Sequence, residues 1–234
     1  MTIIFLFLFG LAVGSFLNVL IYRWNVEGSP STFCGRSFCP VCRKALVWKD
    51  LVPVFSFIRL RGRCRFCQAP ISRAYPIVEL VTAISFVATG VNPFNLIFIS
   101  TLIVIFFSDW IYGLIPDQTV ILLSILGLAR YRLDGLAAGV VAASLLAMLI
   151  VITRGRGLGW GDVKLSLAMG LLLGPIGLMI ALWIGFVSGG LAAVLLLLLR
   201  RKKMRDTMAL GPYLVVGIWA AYFYGDKIST LARL

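Results

Sequence analysis

Long apolar runs separated by short polar segments occupy most of this sequence and leave few ways for it to fold. Hydrophobic residues make up 61% of the 234 positions, and the mean hydropathy is +1.01. Runs of about 20 apolar residues match the thickness of a bilayer, where a helix satisfies its own backbone hydrogen bonds. The pattern predicts an all-α polytopic membrane protein with about eight transmembrane helices. The expected spans are about 3–22, 75–91, 94–109, 117–130, 135–153, 163–174, 177–199 and 207–225.

The first apolar stretch has no basic segment before it and no small-residue cleavage site at its end. These absences predict a retained span rather than a removed signal peptide. Tight turns containing proline, at 91–93 and 174–176, are expected to join neighbouring spans. The predicted domains are a first transmembrane helix at 1–22, a polar loop module at 23–74 and a transmembrane core at 75–234.

Basic residues are distributed unevenly between the predicted loops. Of the 22 Lys and Arg residues, 18 share one side of the membrane if the N-terminus lies outside: ten in 23–74, three in 154–164 and five in 200–206. Because cytoplasmic loops are enriched in Lys and Arg, this orientation is the one predicted. The net charge of +13 is then carried mainly by cytoplasmic loops, which would contact anionic lipid of the inner leaflet. No nucleic-acid partner is predicted.

Three aspartates lie where predicted spans meet the cytoplasmic side: Asp109 ends the third span, Asp117 begins the fourth and Asp162 begins the sixth. The chain has no histidine and only nine acidic residues, so these carboxylates are the main candidates for chemistry. Two nearby carboxylates cannot both ionise cheaply, so such a pair can act as general base and general acid on water. Helix capping alone would explain Asp117 and Asp162, but it does not explain Asp109 at a helix end.

Three further features near these acids have competing interpretations. The alternating glycines at 155–162, including Gly159 and Gly161, follow a span rather than a strand, so they do not predict a dinucleotide site. These glycines are expected to allow close packing of the backbone where it re-enters the membrane. Lys164 suggests a Ser–Lys pair, but no partner serine is evident. Glu79 lies about one turn into the second span, and the sequence leaves open whether it pairs with a loop arginine or contacts substrate.

Two CxxC pairs lie in the long predicted loop, Cys39 with Cys42 and Cys64 with Cys67, with 21 residues between the pairs. Two such knuckles predict a tetrahedral site for Zn2+, and four thiolates indicate a structural ion. A cytoplasmic location disfavours two disulfides instead. No role is predicted for the fifth cysteine, Cys34. The basic residues expected to offset the thiolate charge are Arg36, Arg43, Lys44, Arg63 and Arg65.

Five motifs, in order along the chain, together resemble the bacterial type IV prepilin peptidases, intramembrane aspartic proteases with a GxGD motif. Any one of them is modest support, but five in register, from about residue 10 to about residue 190, are specific. The motifs are GSFLNVLIYR at 14–23, the two CxxC pairs, YPIVE at 75–79, Asp109 with IPD at 115–117, and GWGDVK at 159–164.

The resemblance implies an activity and residue roles. Asp109 and Asp162 would form the catalytic pair, with Asp117 as a supporting acid, and would cleave the basic leader from prepilins or pseudopilins at the cytoplasmic face of the bacterial inner membrane. N-methylation of the new N-terminus with S-adenosyl-L-methionine is also implied, since that activity goes with the cysteine-containing loop. Further supporting residues are expected to be Gly159, Gly161, Lys164 and Glu79. Weak candidates for the second activity or for substrate contact are Gly14, Asn18, Arg23, Glu27 and Glu79.

Two other classes of protein are compatible with parts of the pattern. One is a small transporter with a cytoplasmic zinc module, whose membrane acids would relay protons. The clustering of the acids at one face and the absence of an internal repeat disfavour it. The other is a non-catalytic assembly factor that recruits partners through the zinc loop, which the IPD and GWGD motifs disfavour.

Overall fold

The computed structural model describes residues 1–26, 35–129, 133–155, 158–199 and 209–231. The expectations for Glu27, Cys34 and the basic segment at 200–206 fall outside these ranges. The described residues are mainly helical, with no β-strand among them. The helices are α1 (Thr2–Asn25), α2 (Phe55–Arg59), α3 (Ala74–Thr89), α4 (Pro93–Tyr112), α5 (Asp117–Ala129), α6 (Leu133–Thr153), α7 (Trp160–Leu198) and α8 (Gly211–Leu231).

Within the described residues, each apolar run predicted as a span contains a helix. By length and composition, α1, α4, α6 and α7 can each cross a membrane, and α3 and α5 are shorter apolar helices. The predicted all-α polytopic membrane fold is therefore confirmed. The sixth and seventh predicted spans are the two parts of α7, which is interrupted at Gly174 by a non-helical backbone (φ 70°, ψ −179°) just before Pro175.

The chain divides into two units, Met1–Phe107 and Ser108–Leu234. In the first unit, α1 packs against α3 through two glycines spaced four apart. A Cβ atom at Gly10 would lie 2.6 Å from the Cα of Ala83, and one at Gly14 would lie 2.7 Å from the Cα of Glu79. Small residues at this spacing let two helices approach closely inside a membrane. The segment between α1 and α3 contains the cysteine pairs, a 3-10 turn at Trp48–Asp50 and α2.

The second unit is built around α7, which packs against α5, α6 and α8. Its contact with α6 is close, because a Cβ atom at Gly170 would lie 2.5 Å from the Cα of Gly139. On α7, Leu165 and Met169 are completely buried. This packing holds the first turn of α7 in a defined position relative to α5 and α8.

Candidate active site and candidate metal centre

Asp109 lies in the last turn of α4, which ends at Tyr112 and is followed by Gly113 with a φ of 67°. The side chain is only 7% exposed. A negative charge is unfavourable at the C-terminal end of a helix. The structure offsets this cost with a second helix, because the backbone N–H of Gly211, the first residue of α8, donates a 2.7 Å hydrogen bond to Oδ2 of Asp109. The positive end of the α8 dipole thus faces this carboxylate.

Asp162 is the third residue of α7 and is 6% exposed. Its Oδ2 accepts a 3.0 Å hydrogen bond from the backbone N–H of Gly159, and its own N–H donates to the Gly159 carbonyl at 3.1 Å. The first of these bonds is the acidic half of a capping box. The other glycine of the motif permits close packing, since a Cβ atom at Gly161 would lie 3.1 Å from the Cβ of Ile115.

Asp109 and Asp162 both lie in the second unit and are both buried, and the charge of Asp109 acts on the carboxyl group of Asp162. A backbone N–H holds one oxygen of each carboxylate. Within the described part of the chain, the other oxygen of each accepts no hydrogen bond. Each acid is therefore oriented by the protein and keeps one oxygen for water or substrate. Two buried and oriented acids whose charges interact are compatible with the acid-pair hypothesis, and the catalytic role of the two residues stays a prediction.

The third aspartate has a different environment. Asp117 begins α5, and its Oδ1 accepts a 2.7 Å hydrogen bond from the Nζ of Lys164, with the side chains 63% and 53% exposed, respectively. This ion pair joins the first turns of α5 and α7. Because Lys164 is engaged with a carboxylate, the structure gives no support to a Ser–Lys pair.

The contact with Gly211 was missed by sequence reasoning. Gly211 and Pro212 are residue types typical of the start of a helix, and that pattern locates the beginning of α8. It carries no information on which side chain the first N–H groups face. The partner residue, Asp109, is 102 positions away in the chain.

The four paired cysteines form one cluster in the first unit. Their sulfur atoms all lie within 4.8 Å of one another, and the sulfurs of Cys39 and Cys67 are 3.8 Å apart. Four sulfurs at about 2.3 Å from a tetrahedral ion are separated by about 3.8 Å. All four are free thiols, so neither CxxC pair is a disulfide. The donor set and its spacing fit a four-coordinate metal ion.

The two knuckles have the same local structure. In the first, the N–H of Arg43 donates to the carbonyl of Cys39 at 2.8 Å; in the second, the N–H of Gln68 donates to the carbonyl of Cys64 at 3.0 Å. Arg43 and Gln68 both have a positive φ, 56° and 59°. Each knuckle is therefore a tight turn that directs two thiols to one point.

The knuckle geometry also acts on the thiols. Backbone N–H groups of Cys67 and Phe66 hydrogen-bond to Cys64 and lower the pKa of its thiol to about 7. Despite a backbone hydrogen bond from Ala69, desolvation and hydrogen bonds with the other three cysteines raise the pKa of the Cys67 thiol to about 11. The thiolate is the form that binds metal. Of the basic residues expected to balance the thiolates, Arg65 instead forms a two-pronged ion pair with Asp50.

Buried polar side chains tie the loop segment to the helices of the first unit. Glu79 of α3 is buried and accepts a 2.7 Å hydrogen bond from the N–H of Val54, so its partner is a backbone amide rather than a loop arginine. Asn18 of α1 donates to the carbonyl of Tyr75 at 3.1 Å. These contacts give Asn18 and Glu79 clear structural roles.

An all-α membrane protein with a pair of interacting buried aspartates in one unit and a four-cysteine cluster in the other fits the class of intramembrane aspartic peptidases. Comparison with known proteins agrees. Residues 8–92 match the bacterial peptidase A24 N-terminal domain, and residues 96–194 match the type IV leader peptidase family. The chain belongs to the type IV leader peptidase family.

Curated relatives named prepilin leader peptidase/N-methyltransferase match over nearly the whole chain. The relative from Bacillus subtilis (strain 168) is 36% identical over 95% of this chain and 94% of its own length. The one from Aeromonas hydrophila is 33% identical over 95% and 91%, and that from Burkholderia pseudomallei (strain K96243) is 30% identical over 99% and 88%. No solved structure matches the chain. Family membership decides against the transporter and assembly-factor interpretations.

Proposed function

We propose that this protein cleaves the leader peptide from type IV prepilins or pseudopilins, with Asp109 and Asp162 activating water, and then methylates the new N-terminal amine. The observation that carries the peptidase activity is the acid pair: two buried carboxylates from distant helices interact, and each is oriented by one backbone N–H. The names of the relatives support the substrate class and the methyl transfer.

The chemistry follows from two carboxyl groups that share one proton. The ionised carboxylate takes a proton from water while the oxygen of that water attacks the peptide carbonyl carbon. The protonated carboxyl supplies a proton, and the C–N bond breaks to release the amine and the new carboxyl end of the leader. No covalent enzyme intermediate is needed. The ion pair between Asp117 and Lys164 supports this site by holding the first turn of α7, which carries Asp162, against α5.

The four-cysteine cluster is proposed to hold a structural Zn2+. Its four sulfur ligands leave no open coordination position for substrate, so the ion takes no part in hydrolysis. What it supplies is folding free energy for the segment between α1 and α3, where α2 has only five residues.

The methyl-transfer activity is assigned from the family rather than from a residue set. S-adenosyl-L-methionine would supply an electrophilic methyl group to the new N-terminal amine. The polar residues Asn18 and Glu79 already hydrogen-bond to backbone groups of the first unit, so their contacts identify no donor site.

The proposed location is the bacterial inner membrane, with the N-terminus outside and the acid pair facing the cytoplasm. This orientation is supported by the uneven distribution of Lys and Arg between the loops. The partners are then prepilin or pseudopilin substrates and membrane lipid.

The proposed peptidase site is tested with Asp109→Asn and Asp162→Asn in a prepilin-processing assay. Each change keeps the shape of the side chain and removes its acid–base function, so cleavage should fall by about 10²–10⁴-fold or more. Asp134→Asn is the matched control, because Asp134 is an exposed acid in the first turn of α6.

All three variants should accumulate to the same level in membranes and retain the same metal content. Normal processing by either dyad variant would remove the assigned pair. Equal loss in Asp134→Asn would show that the assay reports general damage rather than catalysis.

A further inference from the structure

Gly211 contacts Asp109 in two ways. Its backbone N–H donates the 2.7 Å hydrogen bond to Oδ2, and its missing side chain leaves the space that the carboxylate occupies. A Cβ atom at Gly211 would lie 2.5 Å from Oδ2 and 2.9 Å from both Cβ and Cγ of Asp109. Real Cβ atoms essentially never come closer than 3.0 Å to another heavy atom, so any other residue at 211 requires something to shift.

The Asp109 side chain is expected to shift rather than α8, because α8 packs closely against α7. A Cβ atom at Gly217 would collide with the carbonyl oxygen of Ala181, and one at Gly185 would lie 2.8 Å from the side chain of Leu214. Leu214 itself is completely buried. With the backbones of α7 and α8 this close, a movement of α8 large enough to admit a methyl group at its first residue would disturb these contacts.

We propose that Gly211 is a positioning residue for Asp109, an inference that rests on the proposed peptidase function. Its N–H holds Oδ2, the start of α8 offsets the unfavourable negative charge at the end of α4, and Oδ1 is left directed to the reacting water. Residue 211 must be glycine because the carboxylate fills the place of a side chain.

The contact is tested first without reference to activity, by a double-mutant cycle on thermal stability in detergent. Gly211→Ala is measured in the parent protein and in an Asp109→Ala background, which lacks the Oδ2 and Cγ atoms that the new methyl group would meet and keeps only the 2.9 Å contact with Cβ. Gly211→Ala should lower the melting temperature in the parent and lower it by clearly less in the Asp109→Ala background. Equal shifts in the two backgrounds would overturn the proposed contact.

The positioning role is then tested by kinetics on a prepilin substrate. In Gly211→Ala, kcat should fall by about 10²-fold, the loss expected when a reacting group is displaced by about 1 Å, with KM changed less than about twofold. The matched control is Gly225→Ala in the same helix, where a Cβ atom meets nothing within 4 Å and both constants should be unchanged.

An unchanged kcat in Gly211→Ala would overturn the positioning role. A rise in KM with constant kcat would assign Gly211 to substrate binding and would overturn it as well. If the stability coupling is present while Asp109→Asn still processes prepilin, the contact is real and the proposed function has failed. The two failures are therefore distinguishable.

Discussion

The two units of this protein assemble their clusters of ionisable side chains, four thiols in one and two carboxyl groups in the other, in different ways. In the first unit, four thiols converge because two short loops, at 38–45 and 63–70, each close on themselves and direct two sulfurs to the same point. In the second, the N–H of Gly211 at the start of α8 holds Asp109, and α8 packs against α7, whose first turn carries Asp162. A metal centre can thus be encoded by the local spacing of its ligands in the sequence, whereas an acid pair in a helical bundle depends on contacts across the whole unit.

The largest effect is expected from removing the proposed metal ligands of the first unit. Cys39→Ser, or treatment with a chelator, should abolish metal binding, which in isolated zinc peptides contributes about 10–16 kcal/mol to folding. The loop segment between α1 and α3 should then become sensitive to protease while the second unit stays folded. Metal analysis and limited proteolysis measure both outcomes, and unchanged protease resistance after metal loss would contradict the structural role.

Cys64→Ser tests whether a change in the first unit affects leader cleavage and N-methylation to the same extent. Because the acid pair belongs to the other unit, leader cleavage should be reduced less than N-methylation, measured on one substrate by a mobility shift and by incorporation of labelled methyl groups. Equal loss of the two activities would mean that the loop serves the folding of the entire protein.

Replacing a glycine at the contact between α6 and α7 tests the packing of the second unit. Gly170→Ala places a methyl group 2.5 Å from the backbone of Gly139 and should cost about 1–3 kcal/mol of stability. Gly190→Ala in the same helix meets nothing within 4 Å and should be neutral or slightly stabilising. Gly170→Ala should lower both the melting temperature and the rate of prepilin cleavage, and the metal content should stay constant. Full activity in this variant would show that the acid pair tolerates movement of α7.

The exposed ion pair gives the smallest effect. Lys164→Met removes the contact with Asp117, and since both side chains are more than half exposed, the loss of stability should be at most about 1 kcal/mol. In the parent protein, added salt should weaken the same contact and reduce the difference between parent and variant. A much larger loss of stability, independent of salt, would contradict the assignment of this contact as an exposed ion pair.

The residues differ in how much of their role the sequence predicts. The Cys39 and Cys64 turns follow from CxxC spacing, and the apolar runs predict the helices, because both are properties of neighbouring residues. The position of Asp109 at a helix end also follows from the sequence, which marks it as unusual. The group that compensates the negative charge of Asp109 cannot be predicted from the sequence, because the amide of Gly211 reaches this carboxylate only through the packing of α8 on α7. Glu79 is similar: its burial is predictable, but its partner, the amide of Val54, is set by the fold of the loop.

The break in α7 has a consequence for the surrounding lipid. The part of α7 before Gly174, residues 160–173, is about 21 Å long, and α5, with 13 residues, is about 20 Å long. A hydrocarbon layer of about 30 Å is thicker than either helix is long, and such a mismatch is accommodated by local thinning, by snorkelling of flanking side chains or by association with other helices. Thinning beside Asp162 would bring the first turn of α7 nearer to water and would shorten the path of a protein substrate to the two acids.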